Sequence, residues 1–418
     1  MRHSHPILLR AAVAGIGTAL VLGTGTATAA TRQAGRAATH PFTAELQRTA
    51  RAVVAAGGAG YLARADDGTD ILTATAGLAD PATGRRMKNK DQYEAGSQTK
   101  TFVSVLVLQL VAEGTVQLDS PVETYLPGVV PNGQNITVRM LLQHTSGLFN
   151  YTDDSQLVAA ALADPHRVLS PQQILRAAFQ HDAVFEPGTS WAYSNTGYIV
   201  LGELLKKVTG ESVGALIDQR IAKPLRLGDT YLADPFVTDI GPGFAHGHLI
   251  DFTADPPSRV DVADWTLSWA GSAGALVSTA RDLSDFYTAL LGGDLLPAAQ
   301  LAEMRRTVDV PDGFGGYGLG LIKVTTACGT VWGHGGDTVG HHTTTLVTAD
   351  GSRSVATDTS SEPGEADEND AELETFVRAV TEAEFAALCA MTGQEVPSGA
   401  AVREGAQRLS RQLAPAAG

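Results

Sequence analysis

Apolar and polar positions along this chain repeat with two different periods, and the periods segregate by region. Near the start, "PFTAELQRTARAVVAAGG" sets apolar or small residues at helical spacing, and Gly57 ends the run. "GYLARADDGTDILTATAGLAD" then reads as two short strands around a turn at Asp66 to Gly68. Near the other end, "GTVWGHGG" predicts a strand, and "TTTLVTADGSRSVATDT" predicts a hairpin turning at Asp350–Gly351. An amphipathic helix, "AELETFVRAVTEAEFAALC", follows and ends at Cys389. The middle reads as mostly helical. "SQTKTFVSVLVLQLVAEG" stops at Gly114, and "NTGYIVLGELLKKVTG" stops at Gly210. "SPQQILRAAFQ" is a further helix, and "STARDLSDFYTALLGG" has Ser278 or Thr279 as cap and Gly292 as stop. Strands at both ends with helices from both termini predict an α/β (α+β) sandwich. Its antiparallel sheet would be flanked by the terminal helices, with an inserted helical lobe over roughly residues 110–290. No internal repeat is visible.

Composition narrows this picture. The chain has 418 residues, 44% of them hydrophobic, enough for a large core. Its formal net charge of −15 argues against nucleic acid as a partner, because phosphate binding needs a basic surface. The first 29 residues have the layout of a secretory signal peptide. Arg2 and Arg10 precede the apolar run "AAVAGIGTALVLG", and "ATA" at residues 27–29 resembles a cleavage site. That run is too short to span a bilayer, and no other stretch is apolar enough to be a membrane span. A secreted product is therefore expected. Cleavage would leave a charge of −17, since this segment holds two arginines and no acid. In an oxidising compartment, an even pair of cysteines, Cys328 and Cys389, favours a disulfide, with two buried thiols as the alternative. The dense acidic run "SSEPGEADENDAELE" reads as a solvated loop entering a helix. The tail over residues 391–418 is small-residue rich and is expected to be mobile.

Candidate chemistry begins at "YEAGSQTKTF". Residues three apart on a helix share a face, so Ser97 and Lys100 would be neighbours. A serine hydroxyl needs a base, and a lysine serves only if burial or nearby positive charge lowers its pKa. Lys100 opens a helix that is apolar nearly all round, so it faces that desolvation. The alternative is a plain helix cap, and a Ser-x-x-Lys match is expected about once by chance in a chain this long. In "FEPGTSWAYSNTGY", Tyr193 could relay a proton, and the Asn195 amide could hold a substrate carbonyl and a lysine at once. In "VWGHGGDTVG", His334 ends an apolar strand, and glycines let another backbone approach. A free strand edge there could bind an extended peptide.

Taken together, Ser97-x-x-Lys100, Tyr193-Ser194-Asn195 and His334-Gly335-Gly336 resemble the motif set of serine penicillin-recognising enzymes. The flanks "LLQHTSGL", "EPGTSWAYSNTGY" and "YGLGL" fit as well, and the resemblance covers roughly residues 40–390. The chain is similar to the secreted D-alanyl-D-alanine carboxypeptidases of actinomycetes and to class C β-lactamases. Related esterases and D-aminopeptidases share the motifs. The resemblance implies the β-lactamase/transpeptidase-like fold and a serine hydrolase working through an acyl-enzyme, without a cofactor or metal. Ser97 would be acylated, Lys100 would be its base partner, and Tyr193 would pass the proton to the leaving group. Asn195 would hold the substrate amide, and His334 would stand where many relatives have lysine. The oxyanion would meet the backbone N–H groups of Ser97 and Asp337, beside Gly335. Phe149 and Trp269 would line the cleft. Peptidoglycan stem peptides or β-lactams would be the ligands of a monomeric enzyme, and D-alanyl-D-alanine carboxypeptidase is the expected activity.

Two departures bear on that activity. The third motif is His-Gly-Gly, where such carboxypeptidases often have a threonine whose hydroxyl helps bind the substrate's terminal carboxylate. Relatives also place arginine after "GLGL". Here Ile322 and Lys323 follow, and lysine lacks arginine's bidentate fork. An α/β-hydrolase would need a Gly-x-Ser-x-Gly elbow, which the chain lacks. A zinc hydrolase would need more than "HGHLID", since Asp251 is one place late, and His341 and His342 alternate across a strand. A non-catalytic peptide or antibiotic sensor would usually have lost Ser97, Lys100 or Tyr193.

Overall fold

The computed structural model describes residues 40–235, 241, 243–254, 256–310, 315–364, 371–397 and 399–413. The expected signal peptide and the centre of the acidic run lie outside the described residues. The first described helix is α1, Thr43–Ala55, and it buries one stripe, Leu46, Ala50 and Val53. Strands β1 (Gly60–Asp66), β2 (Ile71–Asp80) and β3 (Arg85–Arg86) follow, then β4 (Tyr93–Gly96) and helix α2 (Thr99–Ala112). Helices α3 (Ser155–Ala163), α4 (Asn195–Thr209) and α5 (Ala280–Gly292) belong to the long middle region. The chain then returns through β5 (Gly316–Tyr317), β6 (Ile322–Thr326), β7 (Gly329–Asp337), β8 (His342–Thr348) and β9 (Ser354–Thr359). Helices α6 (Ala371–Thr392) and α7 (Ala400–Leu413) complete the described chain.

Eight of these strands form one antiparallel sheet in the order β3-β2-β1-β9-β8-β7-β6-β5. The first and last strand groups meet at β1 and β9, with Tyr61 opposite Thr359. Both faces of the sheet centre are covered, so every residue of β9 is buried. Near the edge, β6 alternates buried and exposed residues. Helices α1, α6 and α7 pack on one face, over a core that includes Leu346, Val355 and Phe385. On the other face, α5 packs against β8 and β9, and its apolar residues join a larger core built on α2. The sandwich expected from the sequence is what forms, an antiparallel sheet with the terminal helices on one face and the helices of the middle region on the other.

Several local expectations need amendment. The middle is not wholly helical: β4 pairs with Leu276–Ser278 in a three-stranded sheet, and His248–Asp251 pairs with Ser258–Asp261 in another. Short strands of this kind lack the length to show a period. Helix α5 runs through Gly292 and stops at Gly293, which takes the left-handed conformation, while Thr279 caps its start. The tail is not simply mobile. Residues 400–413 form α7, which packs on α6 and buries Ala406 and Leu409. Gly405 permits this approach, since a Cβ there would lie 2.4 Å from the Phe385 ring. Cys328 and Cys389 are disulfide-bonded and tie the turn before β7 to α6. Among the described residues no helix is long and apolar enough to cross a membrane.

Candidate active site

The site lies where β4 hands the chain to α2 and the end of β7 runs alongside. Contact there is backbone to backbone. A Cβ on Gly96 would lie 2.7 Å from Asp337 N, and one on Gly336 would lie 2.9 Å from Ser97 N. Gly96 also has φ of 54°, the left-handed region that favours glycine. The amide groups of Ser97 and Asp337 are thereby held side by side. Such a pair of N–H groups is the usual means of stabilising an oxyanion.

Ser97 does not cap α2. The cap position is Gln98, with no side-chain capping bond, so the serine hydroxyl is free for another partner. That partner is Lys100, whose Nζ lies 2.8 Å from Ser97 Oγ. Lys100 Nζ also donates to the Ala273 carbonyl at 2.8 Å. The lysine is 0% exposed. Burial holds its pKa well below the ordinary lysine value, and the acidic Asp337 only partly opposes this. An amine driven toward its neutral form is therefore within reach of the serine proton.

The Tyr193 ring lies 4.8 Å from Lys100 Nζ. Burial pushes its phenol well above the usual value, while the nearby Ser97 hydroxyl lowers it somewhat. Its hydroxyl is enclosed and faces Ser97 without completing a hydrogen bond in the resting site. Of the two groups, Lys100 is thus the one pushed toward losing its proton, and Tyr193 the one pushed toward keeping it.

Asn195 opens α4, so its position follows from the start of that helix. Its backbone N–H donates to Asn150 Oδ1 at 3.0 Å, and its side-chain amide donates to Thr152 Oγ1 at 3.2 Å. Among the described residues no bond joins Asn195 to Lys100. The expected double contact gives way to one with Thr152, because the Ala273 carbonyl already takes the lysine.

His334 is brought to the site but not into contact with Ser97. It is buried, its Nδ1 donates to the Gly335 carbonyl at 2.5 Å, and its Nε2 accepts from the Tyr317 hydroxyl at 3.0 Å. Burial, and then the neighbouring Lys100, lowers its pKa to about 3. It is neutral and cannot replace the positive charge of a lysine. Phe149 is half-buried and stacks on His181 at 3.9 Å. Trp269 is half-buried, and its carbonyl accepts from Tyr151 Oη at 2.7 Å. Lys323 is not part of the cluster. It is exposed, with its ammonium 5.9 Å from the Trp332 ring, because its place in β6 lies opposite Trp332 and not opposite the glycines.

Three residues inside quoted flanks had no assigned role. His144, in "LLQHTSGL", is buried with φ of 61°. Its Nδ1 accepts from the Ser194 N–H at 3.1 Å, and its ring lies 4.3 Å from that of Tyr193. It therefore positions the Tyr193 loop. Tyr317, in "YGLGL", holds His334. Tyr198 lies 5.6 Å below Lys100 Nζ and donates to the Leu142 carbonyl at 2.8 Å. The flanks were the signal for all three.

On the far side of Asp337 a second charged group assembles. His342 Nδ1 is 2.6 Å from Asp337 Oδ1 and 3.5 Å from Glu362 Oε1, and His342 Nε2 is 3.2 Å from Glu384 Oε1. Asp337, His342 and Glu362 lie close enough to hold a metal ion. Both His342 nitrogens, however, already face carboxylates. Burial alone would lower its pKa, but Glu384 and Asp337 outweigh it and raise the ring well above its usual value. The imidazolium itself supplies the cation. His341 pairs separately with the buried Asp358 at 2.8 Å. His246 pairs with Asp261 at 2.8 Å, so neither of these histidines is free for zinc.

A buried serine–lysine pair, an enclosed tyrosine and two juxtaposed amides define a serine hydrolase of acyl-transfer type. The chain belongs to the Beta-lactamase family, whose model matches residues 46–379. It is similar to a D-stereospecific amidohydrolase from Streptomyces sp., with 39% identity, a TM-score of 0.71, and coverage of 76% of this chain and 94% of that one. It is 27% identical over 290 residues to Penicillin-binding protein 4* of Bacillus subtilis (strain 168), covering 67% of this chain. The match spans 63% of that relative's length. Esterase EstB of Burkholderia gladioli is 34% identical over 163 residues, covering 37% of this chain and 41% of the esterase.

Proposed function

We propose that this chain hydrolyses amides and esters of D-amino acids, releasing an amine or alcohol from an acyl-Ser97 intermediate. The observation that carries acyl transfer is the buried Lys100 amine 2.8 Å from Ser97 Oγ. Ser97 attacks the carbonyl while its proton passes to Lys100, and the Ser97 and Asp337 N–H groups hold the oxyanion. Collapse expels the leaving group, which takes a proton through Tyr193. Water then attacks the acyl carbon, the same groups accept its proton, and Ser97 is regenerated.

The choice of substrate rests on charge. A carboxypeptidase must bind a terminal carboxylate, and β-lactams carry a carboxylate too. The third motif here offers a neutral His334 and two glycines, and Lys323 lies over Trp332. Asp337 adds a negative charge beside the oxyanion amides, with its side chain 54% exposed. That arrangement suits a substrate with no carboxylate at the leaving end. The names of the Streptomyces amidohydrolase and of Esterase EstB agree with such substrates. Export belongs to the same reading, supported by the disulfide, since such bonds persist in oxidising compartments.

The test is a comparison of kcat/KM for a D-amino acid amide, its L-enantiomer and a peptide ending in D-alanyl-D-alanine, with Ser97→Ala as control. The D-amide should be preferred, and Ser97→Ala should lose at least ~10³-fold. Faster cleavage of the D-alanyl-D-alanine peptide, with a lasting benzylpenicillin adduct in the intact mass, would restore the carboxypeptidase reading. Activity surviving in Ser97→Ala would overturn the mechanism.

A further inference from the structure

Helix α3 breaks the usual rule for an apolar helix. Its sequence is SQLVAAALA, yet none of its residues is buried, with Val158 37% and Leu162 49% exposed. Burying apolar surface stabilises by about 25 cal/mol per Å², so an uncovered apolar helix is a cost unless something else covers it. Its N-cap, Asp154, fixes it in place. The carboxylate accepts from the Gln156 and Leu157 amides, and its second oxygen lies 3.0 Å from His181 Nε2. The apolar side chains of α3 line a cavity of about 160 Å³, with Tyr151, Trp265 and Trp269 also in its lining. The charged residues of the lining, Asp164 and Arg167, are exposed.

Two features place this cavity beside the catalytic groups. Thr152, in its lining, accepts from the Asn195 amide at 3.2 Å. Val339, also in its lining, follows Asp337 by two residues in the turn between β7 and β8. The cavity therefore borders a direct contact of Asn195 on one side and the turn that follows Asp337 on the other. Its size suits one ring, since a cavity of ~150 Å³ lined by aliphatic and aromatic side chains takes up benzene.

We propose that this cavity is the pocket for the substrate's acyl-side side chain, and that it selects one aromatic ring or a branched aliphatic chain over a methyl group. The proposal rests on the function given above for its D-amino acid form, but not for the pocket itself. A charged side chain is disfavoured, because most of the lining is apolar and the charged Asp164 and Arg167 are exposed to solvent, so its lost hydration is poorly compensated. Alanine in the same place would leave most of the cavity empty.

The experiment measures kcat/KM for the amides of D-alanine, D-leucine, D-phenylalanine and D-glutamate with the described enzyme and with Ala161→Phe, which fills the cavity from α3. D-Phenylalanine and D-leucine should exceed D-alanine by about tenfold or more, and D-glutamate should be poorest. In Ala161→Phe, the ratio of D-phenylalanine to D-alanine rates should fall at least ~10-fold. Leu162→Ala, on the exposed side of α3, should lower the same ratio less and serves should Ala161→Phe not fold. Equal rates for D-alanine and D-phenylalanine, or a ratio unmoved in both variants, would overturn the pocket. A parallel series with p-nitrophenyl acetate and p-nitrophenyl 3-phenylpropionate separates the two claims. If no D-amino acid amide turns over but the phenylpropionyl ester is preferred and that preference falls in Ala161→Phe, the pocket stands and the D-amino acid reading fails.

Discussion

Lys100, fully buried, and His342, half-buried, are two basic side chains that both interact with Asp337. They end in opposite charge states. Around Lys100 are the Ala273 carbonyl, the Ser97 hydroxyl and the rings of Tyr193 and Tyr198, none of them a carboxylate. Burial therefore wins, and the amine is driven toward its neutral form. Around His342 are Glu384 and Asp337, whose charge outweighs burial, with Glu362 hydrogen-bonded beside them and its own pKa raised by burial to about 8, so the ring is driven toward its cation. Burial alone does not determine a protonation state; the partners buried with the group do. One region gains a base, and the other gains a charged brace behind the strand that carries the oxyanion amide.

The largest effect should come from removing the base. Lys100→Ala is expected to lower kcat/KM by ~10²–10⁴-fold while leaving the fold intact. In the parent enzyme the sign follows from a lowered lysine pKa. Activity should be present above the folded-state value and lost as pH falls through it, with that limb well below 10.5. A limb near the ordinary lysine value would break the comparison. His334, at about 3, should add no limb across the neutral range.

Tyr193→Phe comes next, with kcat expected to fall by ~10²-fold, since one proton transfer to the leaving group is lost. The acid limb should stay, because it belongs to Lys100. A more activated leaving group should narrow the deficit, and an equal deficit for all leaving groups would argue against the relay.

His342→Gln should act on stability more than on chemistry. It leaves Glu384 buried with only the Thr344 and Thr357 hydroxyls, a loss of about 1–3 kcal/mol readable as a lower Tm. Because the folded-state pKa of His342 is raised, its contribution is full below about 6.5. It fades only as pH climbs through the raised value. The Tm gap between parent and variant should therefore be widest in mild acid and close in alkali. A gap that widens with pH would mean the cluster does not hold an imidazolium.

Asp337→Asn should be the mildest. Asp337 raises the Lys100 pKa, so its removal should move the acid limb of kcat/KM slightly lower. The backbone N–H at that position is unchanged by the substitution, so the maximal rate should change little.

The chain's own sequence determined the elements with long, regular periods and the residues carried by ordered motifs. The hairpin at Asp350–Gly351, helix α4 ending at Gly210, and the pairing of Ser97 with Lys100 follow from local rules that need no distant partner. The disulfide was legible as an even pair of cysteines in a chain whose start reads as a signal peptide. Tertiary structure decided the rest, because it depends on which distant groups converge. The burial that lowers the Lys100 pKa comes from distant residues packed around it, Ala273 among them at 173 positions away, and the charge of His342 depends on Glu384. The short strands at Tyr231–Leu232 and Leu276–Ser278 have no readable period and exist because β4 is there to pair with the latter. Helix α7 is held by the face of α6, and its burial could not be read from a tail rich in small residues. The apolar cavity beside Asn195 is likewise a property of α3, the Trp265–Trp269 segment and the β7–β8 turn brought together. A local pattern fixes which face of an element is apolar, but only packing decides whether that face meets a core or is left to meet a substrate.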